Sequence, residues 1–315
     1  MSRALLTAVG SMAAPPVMQR LREIGFEVIG CDIYDRSWNA SSMEADDFFQ
    51  ALPAGEGQAC LEQMRWAVGE YGLEALIPLT DLEVDLLCPH KEEFAKMGCV
   101  LCVPEERVTR LVRRKDEMNR FLDSRGLCHT IPTFVPYGVT PSPDAFPLML
   151  KPRSGRSSQG QVIAGELSAY QAALTARKDY IAQPYLEGPV WTVDVARDRF
   201  GDAAAAARRE LLRNPSGLGM TVEVVPGHPL EGIAMAIAQA AGMVGVVNME
   251  FIQRGEDYYF LEVNPRFSGG VGFSMAAGAD MAGWMLRCHR GEPLGPRPAL
   301  QAMTLARENR IVRTR

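Results

Sequence analysis

Residues 247–264, VNMEFIQRGEDYYFLEVN, carry the most informative pattern in the sequence. They hold two alternating apolar stretches, 247–253 and 258–264, which flank the polar sequence Arg-Gly-Glu-Asp at 254–257. A short polar segment between two β-prone stretches predicts a β-hairpin. Side chains alternate between the faces of a strand, so Asn248 and Glu250 share a face, as do Glu262 and Asn264. With the turn centred near Glu256, Glu250 and Glu262 lie opposite each other.

A divalent cation explains this pairing of acidic residues. Two carboxylates directly opposed on a sheet repel each other. Together with an amide oxygen they suit a hard cation, and Mg²⁺ carrying nucleotide phosphates is its natural occupant. The commoner alternative is a solvated polar face of an antiparallel sheet. The next segment, PRFSGGVG at 265–272, argues against it, because an arginine and a glycine cluster directly after the carboxylates suit an anion-binding loop.

Two further stretches bear on phosphate and base binding. In 148–160, LMLKPRSGRSSQG, a lysine ends an apolar strand and a Gly/Ser/Arg loop follows. A fixed cation with close backbone N–H groups suits a polyphosphate. A P-loop is excluded because G-K-[ST] is missing, and an ordinary mobile turn stays open as the alternative. The stretch 180–188, YIAQPYLEG, predicts a strand that runs into a linker, where backbone groups can bind an adenine edge.

The wider pattern predicts two fold classes in one chain. Before residue 104, strands at 4–9, 27–31, 75–77 and 99–103 alternate with helices at 15–24 and 57–71 and a helix near Asp81. This order predicts an α/β, doubly wound parallel sheet. Its first turn, GSMAAP at 10–15, has one glycine where a dinucleotide fingerprint needs three. Beyond residue 113 the pattern is α+β and mainly antiparallel, and the 203–207 alanine run fits a helix or a strand.

Composition narrows the function. The chain has 315 residues, enough for two or three units, with 47% hydrophobic and 23% charged residues. Its 33 Lys and Arg against 38 Asp and Glu give a net charge of −5, which favours neither nucleic acid nor an anionic membrane as a partner. No targeting segment or spanning stretch is evident, so a cytoplasmic location is expected. Seven cysteines fit reduced thiols, and Cys99 and Cys102 of a C-x-x-C sequence read as part of a buried strand.

Taken together, these stretches resemble the ATP-grasp superfamily, in the carbamoyl-phosphate-synthase-like branch that includes amino-acid and peptide ligases. The resemblance covers nearly the whole chain. It implies an N-terminal doubly wound, Rossmann-like (pre-ATP-grasp) domain at 1–112, a small ATP-grasp subdomain at 113–186, and a C-terminal subdomain with the metal site at 187–315.

The resemblance also implies the site residues and cofactors. The cofactors are ATP and two Mg²⁺ ions, with Mn²⁺ as a substitute. The implied nucleotide-binding residues are Lys115, Lys151, Ser154, Gly155, Ser157, Gly160, Gln183, Pro184, Tyr185, Leu186 and Glu187. The implied metal ligands are Glu250, Glu262 and Asn264, and the substrate-binding residues are Ser268, Gly269 and Gly270. The implied catalytic residues are Lys151, Arg266 and one arginine of the Arg208–Arg209 pair; Arg209 is selected, and which of the two faces the phosphate stays open. Val190 stands where related ligases have a ribose-binding glutamate.

The activity so implied is that of an ATP-dependent carboxylate–amine ligase with an acyl-phosphate intermediate, acting on amino acids or similar small carboxylates. Two alternatives stay open. One is phosphoryl transfer to bicarbonate or carbamate, although a single grasp unit without an amidotransferase segment does not fit complete carbamoyl-phosphate synthesis. The other is a non-catalytic ATP-binding module, which Val190 favours. The expected partners are a small carboxylate and an amine, and the N-terminal sheet leaves room for a homodimer.

Overall fold

The computed structural model describes residues 2–155 and 159–315. The strands of the described residues are β1 (Ser2–Leu6), β2 (Phe26–Asp32), β3 (Asp47–Gln50), β4 (Ala75–Ile77), β5 (Val100–Leu101), β6 (His129–Thr130), β7 (Leu148–Pro152), β8 (Val162–Ala164), β9 (Tyr180–Pro184), β10 (Val190–Arg197), β11 (Ala203–Arg213), β12 (Gly219–Val224), β13 (Gly245–Arg254), β14 (Asp257–Asn264) and β15 (Met303–Ala306). The helices are α1 (Ala14–Glu23), α2 (Gln58–Tyr71), α3 (Asp81–Leu87), α4 (Lys91–Lys96), α5 (Glu106–Arg113), α6 (Lys115–Asp123), α7 (Leu167–Ala176), α8 (Pro229–Ala241), α9 (Val271–Ala276) and α10 (Met281–His289).

The first sheet is five-stranded, in the order β3-β2-β1-β4-β5, and parallel throughout. The core residues of α1 pack on one of its faces, and those of α2, α3 and α4 pack on the other. At the carboxyl ends of the strands, Thr80 and Glu83 form a capping box that begins α3. Thr7, just after β1, donates a hydrogen bond to Glu83 at 2.7 Å. This network fixes the segment that enters α3 and thereby positions Asp81.

A seven-stranded sheet, in the order β15-β12-β11-β10-β13-β14-β6, forms the second body of the molecule. Its strands are antiparallel except for the β14–β6 pair. The alanine run of β11 is a strand, which resolves the open alternative. Ala204 and Ala206 face one core cluster, whereas Ala205 and Ala207 face another. Alanine on both faces lets helices pack closely on both sides of this sheet.

A three-stranded antiparallel sheet, β8-β7-β9, packs with α7 around its own small core. The five-stranded and seven-stranded sheets share a core in which β1, β2 and α1 meet α10 and Phe267. The ion pair between Arg20 and Asp280 crosses the same boundary, with two nitrogen–oxygen distances of 2.8 and 2.9 Å. Among the described residues, no helix is both long and apolar enough to cross a bilayer.

Candidate active site

The predicted hairpin is confirmed, and so is its register. β13 pairs with β14 so that Glu250 lies opposite Glu262 and Asn248 opposite Asn264. Asn264 Nδ2 lies 3.4 Å from Glu262 Oε1 and 3.5 Å from Asn248 Oδ1. The four polar side chains therefore form one cluster on one face of the hairpin. A register shift follows Glu250, so the apolar part of the hairpin keeps its own alignment.

Two lysines from separate elements reach this cluster. Lys115, the first residue of α6, places Nζ 3.6 Å from Glu262 Oε2 and donates to the Gly155 carbonyl at 3.1 Å. Lys151 lies in β7 and is 7% exposed. Burial lowers the pKa of Lys151 to about 8, while the charges of Glu262 and Glu250 oppose that shift and Lys115 adds to it. The two predicted lysines and the two carboxylates thus belong to one electrostatic site.

The environment of Glu250 favours its neutral form. Burial raises the pKa of Glu250 to about 7, and the charges of Glu262 and Glu210 act in the same direction. Arg213 opposes them, because its guanidinium donates to Glu250 Oε2 at 2.9 Å. A carboxylate held this way gains from any further cation placed beside it.

A cavity of about 340 Å³ opens over the hairpin, between the five-stranded and seven-stranded sheets. Of the predicted site residues, its lining includes Glu250, Glu262, Asn264, Arg266, Ser268, Gly269 and Gly270. The other lining residues are Ser11, Met12, Ala13, Leu79, Thr80, Asp81, Thr192, Arg208, Glu210, Ser216, Gly217, Leu218, Gly219, Asn248 and Phe267. The predicted metal ligands and substrate loop therefore meet at one small cavity, to which the N-terminal sheet contributes a wall.

The structure brings Arg208, and not Arg209, to this cavity. Arg208 is 1% exposed and donates to Asp194, Ser268 and Ser274. Arg209 is the next residue of β11, so its side chain points to the opposite face, where it is exposed. The choice of Arg209 as the catalytic arginine is corrected accordingly. The same alternation brings Glu210 into the cavity, a residue that the sequence analysis did not select.

Arg266 is held by the N-terminal part of the chain. Its NH2 donates to Asp81 Oδ2 at 2.9 Å, and its NH1 donates to the Phe267 carbonyl at 2.9 Å. Asp81 is 1% exposed, and Arg113 lies 3.8 Å from its other oxygen. The sequence carries no signal for this contact, because its two partners are 185 residues apart and lie on different sheets.

The predicted substrate loop, residues 268–270, lies directly against Arg208. A Cβ atom added at Gly270 would lie 2.8 Å from Arg208 NH2, so only glycine allows this approach. Ser268 accepts a hydrogen bond from the same nitrogen at 2.8 Å. Arg307 donates to the carbonyl of Gly269. The loop is thus fixed from two sides.

Among the described residues, the predicted nucleotide-binding residues other than Lys115 lie in β7 and β9 or in the segments that follow these strands. Gln183 is 2% exposed and donates to Thr133 at 2.7 Å, while its Oε1 is buried without a hydrogen-bond partner among the described residues. Tyr185 and Leu186 are half-buried, whereas Pro184 and Glu187 are exposed. Ser154 and Gly160 are exposed and Gly155 is half-buried. Ser157 lies outside the described residues.

The donor set fits Mg²⁺ bound together with phosphates. Within residues 2–155 and 159–315, no three His, Cys, Asp or Glu side chains are grouped so as to hold a metal ion on their own. Mg²⁺ in nucleotide enzymes is commonly held by one or two carboxylates, with phosphate oxygens and water completing its octahedron. Glu250, Glu262 and the Asn264 oxygen supply that kind of partial set.

Comparisons with known proteins agree with this geometry. A family model described as ATP-grasp in the biosynthetic pathway with Ter operon matches residues 176–311. The carbamoyl phosphate synthase large chain of Myxococcus xanthus is 28% identical over 167 residues, covering 47% of this chain and 15% of that protein. The same protein from Agathobacter rectalis is 22% identical over 268 residues, covering 78% of this chain and 24% of its own length. This chain therefore spans a quarter or less of these relatives.

Solved structures show the same fold. The biotin carboxylase of Campylobacter jejuni superimposes with a TM-score of 0.74 and 19% identity, covering 95% of this chain and 73% of that one. An L-amino acid ligase from Bacillus licheniformis gives a TM-score of 0.72 and 13% identity, covering 92% of this chain and 74% of that one. Taken together with the hairpin site, the family model, the relatives and the fold support an ATP-grasp superfamily protein.

Proposed function

We propose that the protein is an ATP-dependent carboxylate–amine ligase that works through an acyl phosphate. The observation that carries the proposal is the opposition of Glu250 and Glu262, which have Lys115 and Lys151 as charged neighbours and line a cavity together with Arg208. Divalent cations and paired ammonium groups neutralise a triphosphate from two sides. An arginine in the same cavity stabilises the negative charge of the carboxylate that accepts the phosphoryl group.

The reaction has two steps. A carboxylate oxygen of the first substrate attacks the γ-phosphorus of ATP, and ADP leaves. The amine of the second substrate then attacks the acyl carbon, phosphate leaves, and the nitrogen loses a proton. The free carboxylate is a poor acylating agent, so phosphorylation provides the leaving group, and the chain mainly has to position and neutralise the reactants.

Each group of residues has a separate task in this proposal. Lys115 and Lys151 bind the phosphates, and Gln183 to Glu187 border the base. Glu250, Glu262 and Asn264 hold Mg²⁺ or Mn²⁺, which supplies charge neutralisation at the β- and γ-phosphates when bound. Arg266 and Arg208 stabilise the transferred phosphoryl group. The N–H groups of 268–270 receive a substrate carboxylate.

The size of the cavity points to small substrates. About 340 Å³ lies at the lower end of the range for small-molecule sites. Together with its charged lining, this favours amino acids or similar small carboxylates.

We further propose the division into a Rossmann-like domain at 1–112 and ATP-grasp subdomains at 113–186 and 187–315. All seven cysteines are free, which supports a reducing, cytoplasmic compartment.

A phosphate-release assay tests the proposal. Amino acids are offered in pairs with ATP and Mg²⁺, and release that requires both substrates is the expected result. Release that saturates with bicarbonate and needs no amine would instead support the second candidate, phosphoryl transfer to bicarbonate. That candidate is considered because the curated relatives are carbamoyl phosphate synthases.

Glu262→Gln should abolish ATP turnover, because the neutral amide is a poor Mg²⁺ ligand. The thermal midpoint should stay close to that of the unmodified protein, since the substitution keeps the shape of the side chain. Glu256→Gln is the matched control, because Glu256 is exposed in the turn of the same hairpin. An active Glu262→Gln enzyme would contradict the metal assignment.

A further inference from the structure

Arg213 joins a predicted metal ligand to a loop of the cavity. It is the last residue of β11, and its side chain is 27% exposed. Its NH2 donates to Glu250 Oε2 at 2.9 Å, while its Nε donates to the Gly217 carbonyl at 2.8 Å. The guanidinium therefore bonds the carboxylate and the loop at the same time.

The loop that it bonds, residues 214–218, is a compact unit. The Asn214 side chain accepts hydrogen bonds from the backbone N–H groups of Ser216 and Leu218, at 3.1 and 2.9 Å. The Asn214 N–H donates to the Leu218 carbonyl at 2.9 Å. Gly217 and Leu218 also line the cavity. The bond to Gly217 therefore holds the Arg213 guanidinium against a loop that lines the cavity.

Arg213 and a divalent cation would compete for the Glu250 carboxylate. A Mg²⁺ ion approaches a carboxylate oxygen to about 2.0–2.1 Å. A guanidinium hydrogen-bonded to the same carboxylate would then lie next to a doubly charged ion of like sign, which is unfavourable in a partly buried site. The carboxylate favours the dication, because the Coulomb attraction grows with charge.

We propose that a divalent cation displaces Arg213 from Glu250, and that the guanidinium, still anchored at Gly217, then binds the terminal phosphate of the nucleotide. The inference rests on the proposed function, since it takes Glu250 as a metal ligand. Guanidinium groups bind phosphate oxygens in a two-pronged geometry, so the displaced group has a better partner close by. Arg213 thus changes partners as the substrates assemble.

The first arm of the test measures Mn²⁺ binding by electron paramagnetic resonance, without nucleotide. Arg213→Met should bind Mn²⁺ roughly three- to tenfold more tightly than the unmodified protein, because a partly buried competitor has been removed. Arg209→Met is the matched control. It removes the same charge from the same strand on the face away from Glu250, and should change the affinity by less than about twofold.

The second arm measures binding of the Mn²⁺ complex of a non-hydrolysable ATP analogue. Here Arg213→Met should weaken binding roughly tenfold or more, because a phosphate ligand is lost. The affinity of Arg213→Lys for this complex should lie between those of Arg213→Met and the unmodified protein. Arg213→Lys serves as the second variant if Arg213→Met folds poorly. Arg213→Met is thus expected to strengthen the binding of free Mn²⁺ and to weaken the binding of the nucleotide complex.

The outcomes separate the two proposals. If Glu250→Gln binds Mn²⁺ as tightly as the unmodified protein, the metal assignment fails and the inference with it. If Glu250→Gln is weakened while Arg213→Met binds free Mn²⁺ no more tightly than the unmodified protein, only the Arg213 inference is overturned. Equal binding of the nucleotide complex by Arg213→Met and Arg209→Met would also overturn it.

Discussion

At the scale of single residues, Arg208 lines the cavity and is paired with Asp194 beneath it. Both side chains are almost completely buried. Ser274 donates to Asp194 Oδ2 at 2.8 Å, and Asn248 donates to Oδ1 at 3.2 Å. Such a network holds the guanidinium rigidly, and a rigid donor needs little reorganisation when it binds an anion. Since Asn248 also approaches Asn264, the network extends to the predicted metal site.

Arg208→Met should therefore damage both stability and turnover. Breaking a buried pair on one side costs about 3–5 kcal/mol, because an uncompensated charge remains. Arg209→Met should stay within about 0.5 kcal/mol, as is usual for an exposed position. Urea denaturation measures both. Adding Asp194→Asn to Arg208→Met should recover much of the lost stability without restoring turnover, and recovered turnover would contradict a role for Arg208 in the reaction.

A second prediction concerns Gly245, the first residue of β13. Its φ is +98°, and an added Cβ would lie 2.2 Å from His289 Nε2. Gly245→Ala should therefore lower the free energy of unfolding by about 2–4 kcal/mol, because the clash with His289 adds to the backbone strain of a positive φ. Gly227→Ala is the control, because Gly227 has a φ of +75° with nothing within 4 Å of an added Cβ. Equal destabilisation of the two variants would show that the contact with His289 does not matter.

At the scale of the elements, short-range pattern predicts a great deal here. The hairpin and its register follow from alternation and one polar turn, and β9 begins at residue 180, where the predicted strand begins. The short strand β3 and the helices α5, α9 and α10 were not predicted. β3 has only four residues, and α10 is buried on nearly all sides, so it lacks the apolar stripe that marks a surface helix.

The pKa values of Lys151 in β7 and Glu250 in β13 predict a narrow pH optimum for the use of ATP. Below about pH 7 Glu250 gains a proton and loses its power as a metal ligand, whereas above about pH 8 Lys151 loses its charge. The kcat/KM for ATP should therefore rise through about 7 and fall beyond about 8. Lys151→Arg is the informative variant, because arginine stays charged. Its alkaline limb should shift upward, and an unchanged limb would exclude Lys151 as its source.

At the scale of the whole molecule, the two large sheets are joined by a shared core. Apolar residues of β1, β2 and α1 pack with α10, and the Arg20–Asp280 ion pair lies at the edge of that contact. Asp280 also caps α10 by accepting from the Gly283 N–H at 3.1 Å. Because the core is continuous, the two sheets should unfold in one transition.

Asp280→Asn should lower the stability by about 1–2 kcal/mol, because it weakens a two-pronged ion pair. Differential scanning calorimetry should still show one peak, at a lower temperature. Glu23→Gln is the control, since Glu23 also pairs with Arg20, at 3.1 Å, but lies on the surface. Two separate peaks for either variant would contradict the shared core.

The parts of the site that the sequence did not predict depend on contacts between the sheets. Glu210 and Arg208 were within reach of the alternation rule once β11 was known to be a strand. Asp81 and Arg213 were not, because their partners are set by how two sheets and a hairpin loop pack, which periodicity does not encode. Local pattern therefore locates the carboxylate pair, while tertiary packing selects the arginines.

The contact between Asp81 and Arg266 has a consequence for protein engineering. One acid from the first hundred residues orients a guanidinium at the candidate active site. A chimera that joined residues 113–315 to a foreign N-terminal region would leave that guanidinium without its carboxylate partner. Such a swap should lower activity unless the incoming region placed its own acid at the same position.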